Sequence, residues 1–84
     1  PSGDRPVDPE ALRSVGDLLA GRPMRKDLLI EHLHVLNDRF GQLRTDHLAA
    51  LAQLLRLSET EVYEVASFYH HFEVVRPGAD GAWP

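Results

Sequence analysis

The segment Leu57–Phe72, LSETEVYEVASFYHHF, carries the strongest local structural signal in the chain. Ser58 and Glu61 have the spacing of a capping box, in which the hydroxyl and the carboxylate each accept a backbone N–H at the first turn of a helix. The residues that follow have a helical apolar pattern, and aromatic side chains become frequent toward the end of the segment. We therefore expect a helix from Ser58 to about His71 that has an aromatic C-terminal end.

A helical projection of this segment gives an apolar face that is wider than one neighbouring helix can cover. We interpret Val62, Val65 and Phe68 as core residues on this face. The tyrosines and histidines form a second group, because tyrosine combines an apolar ring with a polar tip and is enriched at protein interfaces. We therefore predict a set of partner-contact residues, which consists of Tyr63, Tyr69, His70 and Phe72.

Three further helices are predicted before this one. Asp8 is a favourable N-cap, and Pro9 and Glu10 suit a first helical turn, so we expect a first helix over about Pro9–Ala20. A leucine stripe with helical spacing predicts a second helix over about Met24–Phe40, although basic residues near its start oppose the helix dipole. A third helix begins at Thr45 and ends at about Leu55, which leaves a tight connection to Ser58.

The two ends of the chain lack these helical patterns. Residues 1–7 are polar and contain proline and glycine, so we expect them to be disordered. Residues 72–75 alternate like a strand, but no second β pattern is present to pair with them, so we expect residues 74–84 to form a loose tail. The predicted fold class is all-α: residues 8–73 form a three-helix bundle with an additional short N-terminal helix, followed by a disordered C-terminal tail.

Length and composition restrict the function. The chain has 84 residues and no cysteine, which excludes disulfides, thiolate ligands for iron–sulfur clusters and zinc fingers of the cysteine type. Its formal net charge of −4 disfavours nucleic acid as a partner. No apolar run approaches the roughly 20 residues of a membrane span, and the first residues lack the pattern of a signal peptide. We therefore expect a soluble, cytoplasmic protein without membrane insertion.

No residue pattern predicts catalysis or metal binding. His32 and His34 lie on different helix faces, and His70 and His71 are adjacent, whereas a metal-binding pair on one helix needs a spacing of about four. The last two predicted helices could form a helix-turn-helix, but the recognition helix would carry several glutamates and no Lys or Arg. Phosphate would be repelled from such a helix, so DNA binding is the less favoured interpretation.

Three strings of residues resemble a known family. They are LNDRFGQL at residues 36–43, LAALA at residues 48–52 and EVYEVASFY at residues 61–69. With them, the region from about Asp27 to Val75 resembles the helical N-terminal part of the thioredoxin-like [2Fe-2S] subunit of NADH dehydrogenase (complex I). The same module occurs in NAD-reducing hydrogenase diaphorase subunits and in NAD-dependent formate dehydrogenases. The strings RDLLIEHLHVLNDRFG and EVASFYHHFEVV are most similar to the formate dehydrogenase branch, where the module is fused ahead of the flavin subunit.

The resemblance implies a non-catalytic helical domain of a redox subunit in NAD-linked electron transfer. Such a domain packs against the flavin-bearing, NADH-oxidising partner and supports an adjacent thioredoxin-like domain, which begins near residues 72–75 and holds a [2Fe-2S] cluster through four cysteines. FMN and NAD are then expected in the partner or fused subunit, and no cofactor or metal in this chain. The alternative interpretation is a free-standing protein–protein interaction module.

Overall fold

A computed structural model of the protein describes residues 7–83. Over this range the chain is mostly helical, as the sequence predicts, with two very short strands. The elements are α1 (Pro9–Leu18), a 3₁₀ turn (Lys26–Leu28), α2 (Leu29–Phe40), β1 (Leu43–Arg44), α3 (Thr45–Leu55), α4 (Glu59–Phe68) and β2 (Val74–Val75). The expected disorder of residues 1–6 concerns residues outside the described range. Pro84, the last residue of the expected tail, also lies outside it.

Helix α3 lies at the centre of the packing, because α1 and α4 both pack against it. Its buried side chains surround most of the helix and include Ala50, Leu51 and Leu55. The leucine stripe predicted for the second helix is also buried, since Leu33 and Leu36 are fully enclosed. The buried alanines Ala50 and Ala52 leave room for neighbouring helices to pack close to α3. The core is therefore organised around this one apolar helix.

The second helix starts later than the sequence predicts. Residues 23–25 are not helical, a 3₁₀ turn covers Lys26–Leu28, and the α-helix begins at Leu29 instead of near Met24. The Arg25 guanidinium forms an exposed ion pair with Asp27 at 2.8 Å, and no side chain caps the helix. A helix that began at Met24 would have Arg25 and Lys26 in its first turn, whereas the observed α-helix has the acidic Glu31 there.

The fourth helix ends earlier than predicted, at Phe68 instead of about His71. Tyr69 is extended, with φ −92° and ψ 120°, and the Phe72 N–H donates to the Tyr69 carbonyl at 3.2 Å. This turn moves Phe72 off the helix axis and into the core, where its side chain is buried. The helical projection of residues 69–72 is therefore wrong, because burial of the Phe72 ring outweighs continuation of the helix, which ends at the extended C-cap residue Tyr69.

The expectation of a loose segment after residue 73 is wrong for Val74 and Val75. These residues pair in parallel with Leu43 and Arg44, and the Leu43 N–H donates to the Glu73 carbonyl at 2.7 Å. The alternation of residues 72–75 indicated a strand, but its partner was missed, because β1 has only two residues and shows no alternating pattern of its own. At the other end of the described range Val7 packs against the core.

No helix in the described range is both long enough and apolar enough to cross a membrane.

The capping box predicted at Ser58 is present. The Glu61 N–H donates to the Ser58 hydroxyl at 3.1 Å, and the Ser58 N–H donates to the Glu61 carboxylate at 3.1 Å. We expect Ser58→Ala to lower the free energy of unfolding by about 1 kcal/mol, because one N–H loses its acceptor. In a domain of this size that corresponds to a fall in Tm of about 4–8 °C, which calorimetry can measure.

The matched control is Thr60→Ala, at an exposed position in the same first turn that accepts no capping hydrogen bond. It should leave Tm unchanged or slightly raised, since alanine has the higher helix propensity. Equal losses in both variants would contradict a specific contribution of the capping box.

His47 is a buried titratable group in α3. Its side chain is 4% exposed, and its ring centroid lies 4.5 Å from that of Phe40. Burial lowers the pKa of His47; the charge of Asp46 acts in the opposite direction, and that of Arg44 adds to the lowering. The imidazole is therefore neutral in the folded chain at pH 7, and protonating it requires placing a cation in the core.

We expect this histidine to make the fold less stable in acid. The unfolded chain takes up the His47 proton near pH 6.5, whereas the folded chain takes it up only at lower pH. The neutral His47 therefore makes its full contribution to the free energy of unfolding above about pH 6.5. This contribution is lost as pH falls toward the lowered pKa of the folded chain. Urea midpoints should therefore drop more between pH 7.5 and pH 5 in the wild type than in His47→Gln. His70→Gln, at an exposed position, should retain the wild-type pH dependence; identical pH dependence in the wild type and His47→Gln would refute the assignment.

Candidate functional site

An aromatic cluster forms where α4 ends and the chain turns toward β2. Its members are Phe68, Tyr69, His71 and Phe72 from this turn, together with His34 from α2. The His34 and His71 rings are stacked, with centroids 5.1 Å apart and planes 15° from parallel. Phe72 contacts both rings, at 4.9 Å from His34 and 4.3 Å from His71, and is 6% exposed. The cluster therefore extends from the buried core to the surface.

Phe68 lies at the exposed end of this cluster. It is 77% exposed, and its ring meets the Tyr69 ring edge-on at 5.5 Å. The prediction that Phe68 belongs to the core is wrong, because the helix buries Val62 and Ala66 and directs Phe68 toward solvent. The signal in the sequence was Glu64, which precedes Phe68 by about one turn and therefore shares its helix face.

Tyr63 is placed apart from the aromatic cluster. Its hydroxyl accepts a hydrogen bond from the Arg76 guanidinium at 2.7 Å, and the same guanidinium lies 5.0 Å from the ring centroid. The pKa of Tyr63 is lowered, first by this hydrogen bond, then by a second one from Ser67 and by the positive charge of Arg76. Tyr63 therefore fixes the residues after β2 onto α4.

A cleft of about 660 Å³ opens beside Tyr63, between the N-terminal ends of α1, α3 and α4 and the residues that follow β2. Trp83 covers part of it, and the Arg44 guanidinium lies 4.2 Å from its ring centroid. Two of the carboxylates that line the cleft have structural roles, since Asp8 caps α1 and Asp46 accepts two hydrogen bonds from Arg44. Glu59 and Thr60 also line the cleft. Among the described residues, no hydroxyl that lines the cleft is hydrogen-bonded to a carboxylate or a histidine, which is the arrangement that an activated nucleophile needs.

The residues present do not fit an iron–sulfur cluster or another metal centre. The chain has no cysteine, and the described part contains no group of three or more His, Asp or Glu side chains that could hold a metal ion. The stacked pair of His34 and His71 has nearly parallel rings, so their nitrogen lone pairs do not converge on one point. Thiolates that ligate a [2Fe-2S] cluster are not among these 84 residues.

The four predicted partner-contact residues fall into separate environments. Tyr63 is half-buried beside the cleft, Tyr69 is half-buried in the aromatic cluster, His70 is exposed and Phe72 is buried. The structure brings Tyr69 and Phe72 together, with centroids 5.9 Å apart, but it places Tyr63 with Arg76. Sequence reasoning missed His34, because its contact with His71 joins residues far apart in the chain.

Comparison with known proteins supports the assignment made from the three strings. A comparison with curated proteins gave no match. The family model described as thioredoxin-like [2Fe-2S] ferredoxin matches residues 15–80, which is most of the chain and includes all three strings. The matched region begins within α1 and extends beyond β2, so it covers the helical bundle and the paired strands. The chain therefore belongs to the thioredoxin-like [2Fe-2S] ferredoxin family.

Proposed function

We propose that this chain is a non-catalytic helical domain of a redox subunit in NAD-linked electron transfer. It packs against a flavin-binding, NADH-oxidising partner and supports an adjacent [2Fe-2S] domain. The observation that carries the proposal is the family match over residues 15–80 in a chain with no cysteine. Because these residues belong to a redox family but supply no thiolate ligand for the cluster, we infer that they position the neighbouring domains rather than transfer electrons themselves.

The strand pair supports a role in positioning the adjacent domain. By its resemblance to the family, the chain enters the thioredoxin-like domain near residues 72–75. Val74 and Val75 are hydrogen-bonded to β1, and Val75 is buried. The direction in which the chain leaves the bundle is thus fixed by backbone hydrogen bonds as well as by the Phe72 ring.

The resemblance also directs the choice of parent enzyme. We infer an NADH dehydrogenase or an NAD-dependent formate dehydrogenase, in which FMN and NAD are bound by the partner or fused subunit. A cytoplasmic location is part of the same proposal. The free-standing interaction module is the competing proposal, and it predicts that no cysteine-containing domain adjoins these residues in the parent protein.

Among the predicted contact residues, Tyr69 and His70 are best placed to touch a partner. Both lie at the outer part of the turn after α4, and His70 is exposed. Tyr63 contributes indirectly by holding Arg76. Phe72 is the buried member of the cluster, so Phe72→Ala should lower the free energy of unfolding by about 3–5 kcal/mol. This variant therefore cannot test partner contact by itself.

We expect Tyr69→Ala to weaken binding of the chain to the flavin-binding polypeptide of its parent enzyme by about 5-fold or more, because an interface tyrosine loses its ring. Isothermal titration calorimetry measures the affinity, and circular dichroism should show the same helix content in variant and wild type. Ser14→Ala, at an exposed position on α1, is the matched control and should bind like the wild type.

The parent reading frame gives an independent test. We expect it to encode cysteines in a cluster-ligand pattern adjoining this domain. Absence of those cysteines, or absence of wild-type binding to the flavin-binding polypeptide, would overturn the proposal and favour the interaction module.

A further inference from the structure

Helix α4 has an outward face that residues 7–83 leave uncovered. Its buried side chains, Val62 and Ala66, lie on the opposite side of the helix. The outward face is made of exposed residues only, and these are Thr60, Glu61, Glu64, Ser67 and Phe68. Residues at this spacing form a continuous ridge along a helix, and such a ridge is the part that enters a groove in helix-mediated recognition.

Phe68 is the apolar anchor of this ridge. In the described range the exposed large hydrophobic residues are Phe68, at 77%, and Met24, at 39%. The Phe68 ring is supported edge-on by Tyr69, whose ring in turn contacts the buried Phe72. An exposed ring that is held in place by a packed cluster loses little conformational freedom on binding, which is the property of an interface anchor.

The charge of the ridge specifies the chemistry of its partner. Glu64 precedes Phe68 by one turn and forms no hydrogen bond or ion pair with any part of the chain that the structure describes. Glu61 is engaged in the capping box, so Glu64 is the free carboxylate beside the aromatic ring. No Lys or Arg occurs between Arg56 and Arg76, so the ridge itself carries two carboxylates and no cation, and the Arg76 guanidinium lies against Tyr63 on the flank of the helix. The ridge is therefore negative, and complementary to a basic surface.

We propose that the outward face of α4 docks into a groove of the flavin-binding partner that has an apolar socket for Phe68 and a Lys or Arg at its rim for Glu64. This inference rests on the proposed function and names the surface and the chemistry by which it acts. The helix supplies two anchors one turn apart, an aromatic ring that is desolvated in the socket and a carboxylate that sets the orientation.

The test is a titration of the flavin-binding polypeptide of the parent enzyme, encoded separately or excised from a fusion, with the wild-type chain and three variants. We expect Phe68→Ala to weaken binding at least 10-fold. Glu64→Lys should weaken it by a similar factor, because it places a cation against a basic rim. Met24→Ala, which removes the other exposed large hydrophobic residue, is the matched control and should bind like the wild type.

Salt provides a second readout of the same contact. Raising the NaCl concentration should weaken wild-type binding, and this dependence should be smaller for Glu64→Gln, because the variant lacks the charge that is screened. Phe68→Ala should keep the wild-type Tm, since the ring is exposed, so a loss of affinity cannot be ascribed to unfolding.

The outcomes separate the two proposals. Wild-type binding together with weak binding by Phe68→Ala and Glu64→Lys supports the inference. Wild-type affinity in both variants overturns it and leaves the proposed function standing, with the contact on another face. If the wild-type chain itself does not bind, the proposed function fails, and this inference fails with it.

Discussion

The burial of helix α3 is the constraint on which the rest of this small structure depends. The chain has no disulfide to restrict its unfolded state, so its stability comes from packing. Helices α1 and α4 cover α3 from two directions, and Ala50, Leu51 and Ala52 are all buried between its neighbours. Because α3 occupies one side of α4, the opposite side of α4 is the one that faces solvent and carries Phe68. The candidate interaction surface is thus a direct consequence of how the core is filled.

Much of the helical framework was predictable from the sequence, because caps and apolar spacing act within a few residues. The Ser58–Glu61 capping box and the buried leucines of α2 are examples of such local signals. The strand pairing was not predictable, since two helices separate Leu43 from Val74 in the sequence, and β1 is too short to show an alternating pattern that would identify it as the partner. The exposure of Phe68 was missed for a related reason: hydrophobicity favours burial on average, whereas the position of a residue relative to α3 decides its burial here.

Family membership and geometry contribute different parts of the functional argument. The family match places the chain in a redox-related family, and these 84 residues include no cysteine to ligate the cluster. The geometry then distinguishes two regions of α4 that the sequence grouped together. Tyr63 and Arg76 hold the residues after β2 against the bundle, whereas Phe68 and Tyr69 face outward. In our proposal, the flank of this helix contacts the residues after β2, and its ridge is the surface that contacts a partner.

The parallel pairing of β1 with β2 has a consequence for the order of folding. The two strands flank α3 and α4 in the sequence, so their hydrogen bonds close a long loop. Because closing a long loop costs conformational entropy, we expect these hydrogen bonds to form after the contacts between neighbouring helices. The direction in which the chain continues beyond β2 would then be set once the helical bundle is complete. Folding of any domain that follows in the parent protein would then start from an already oriented strand.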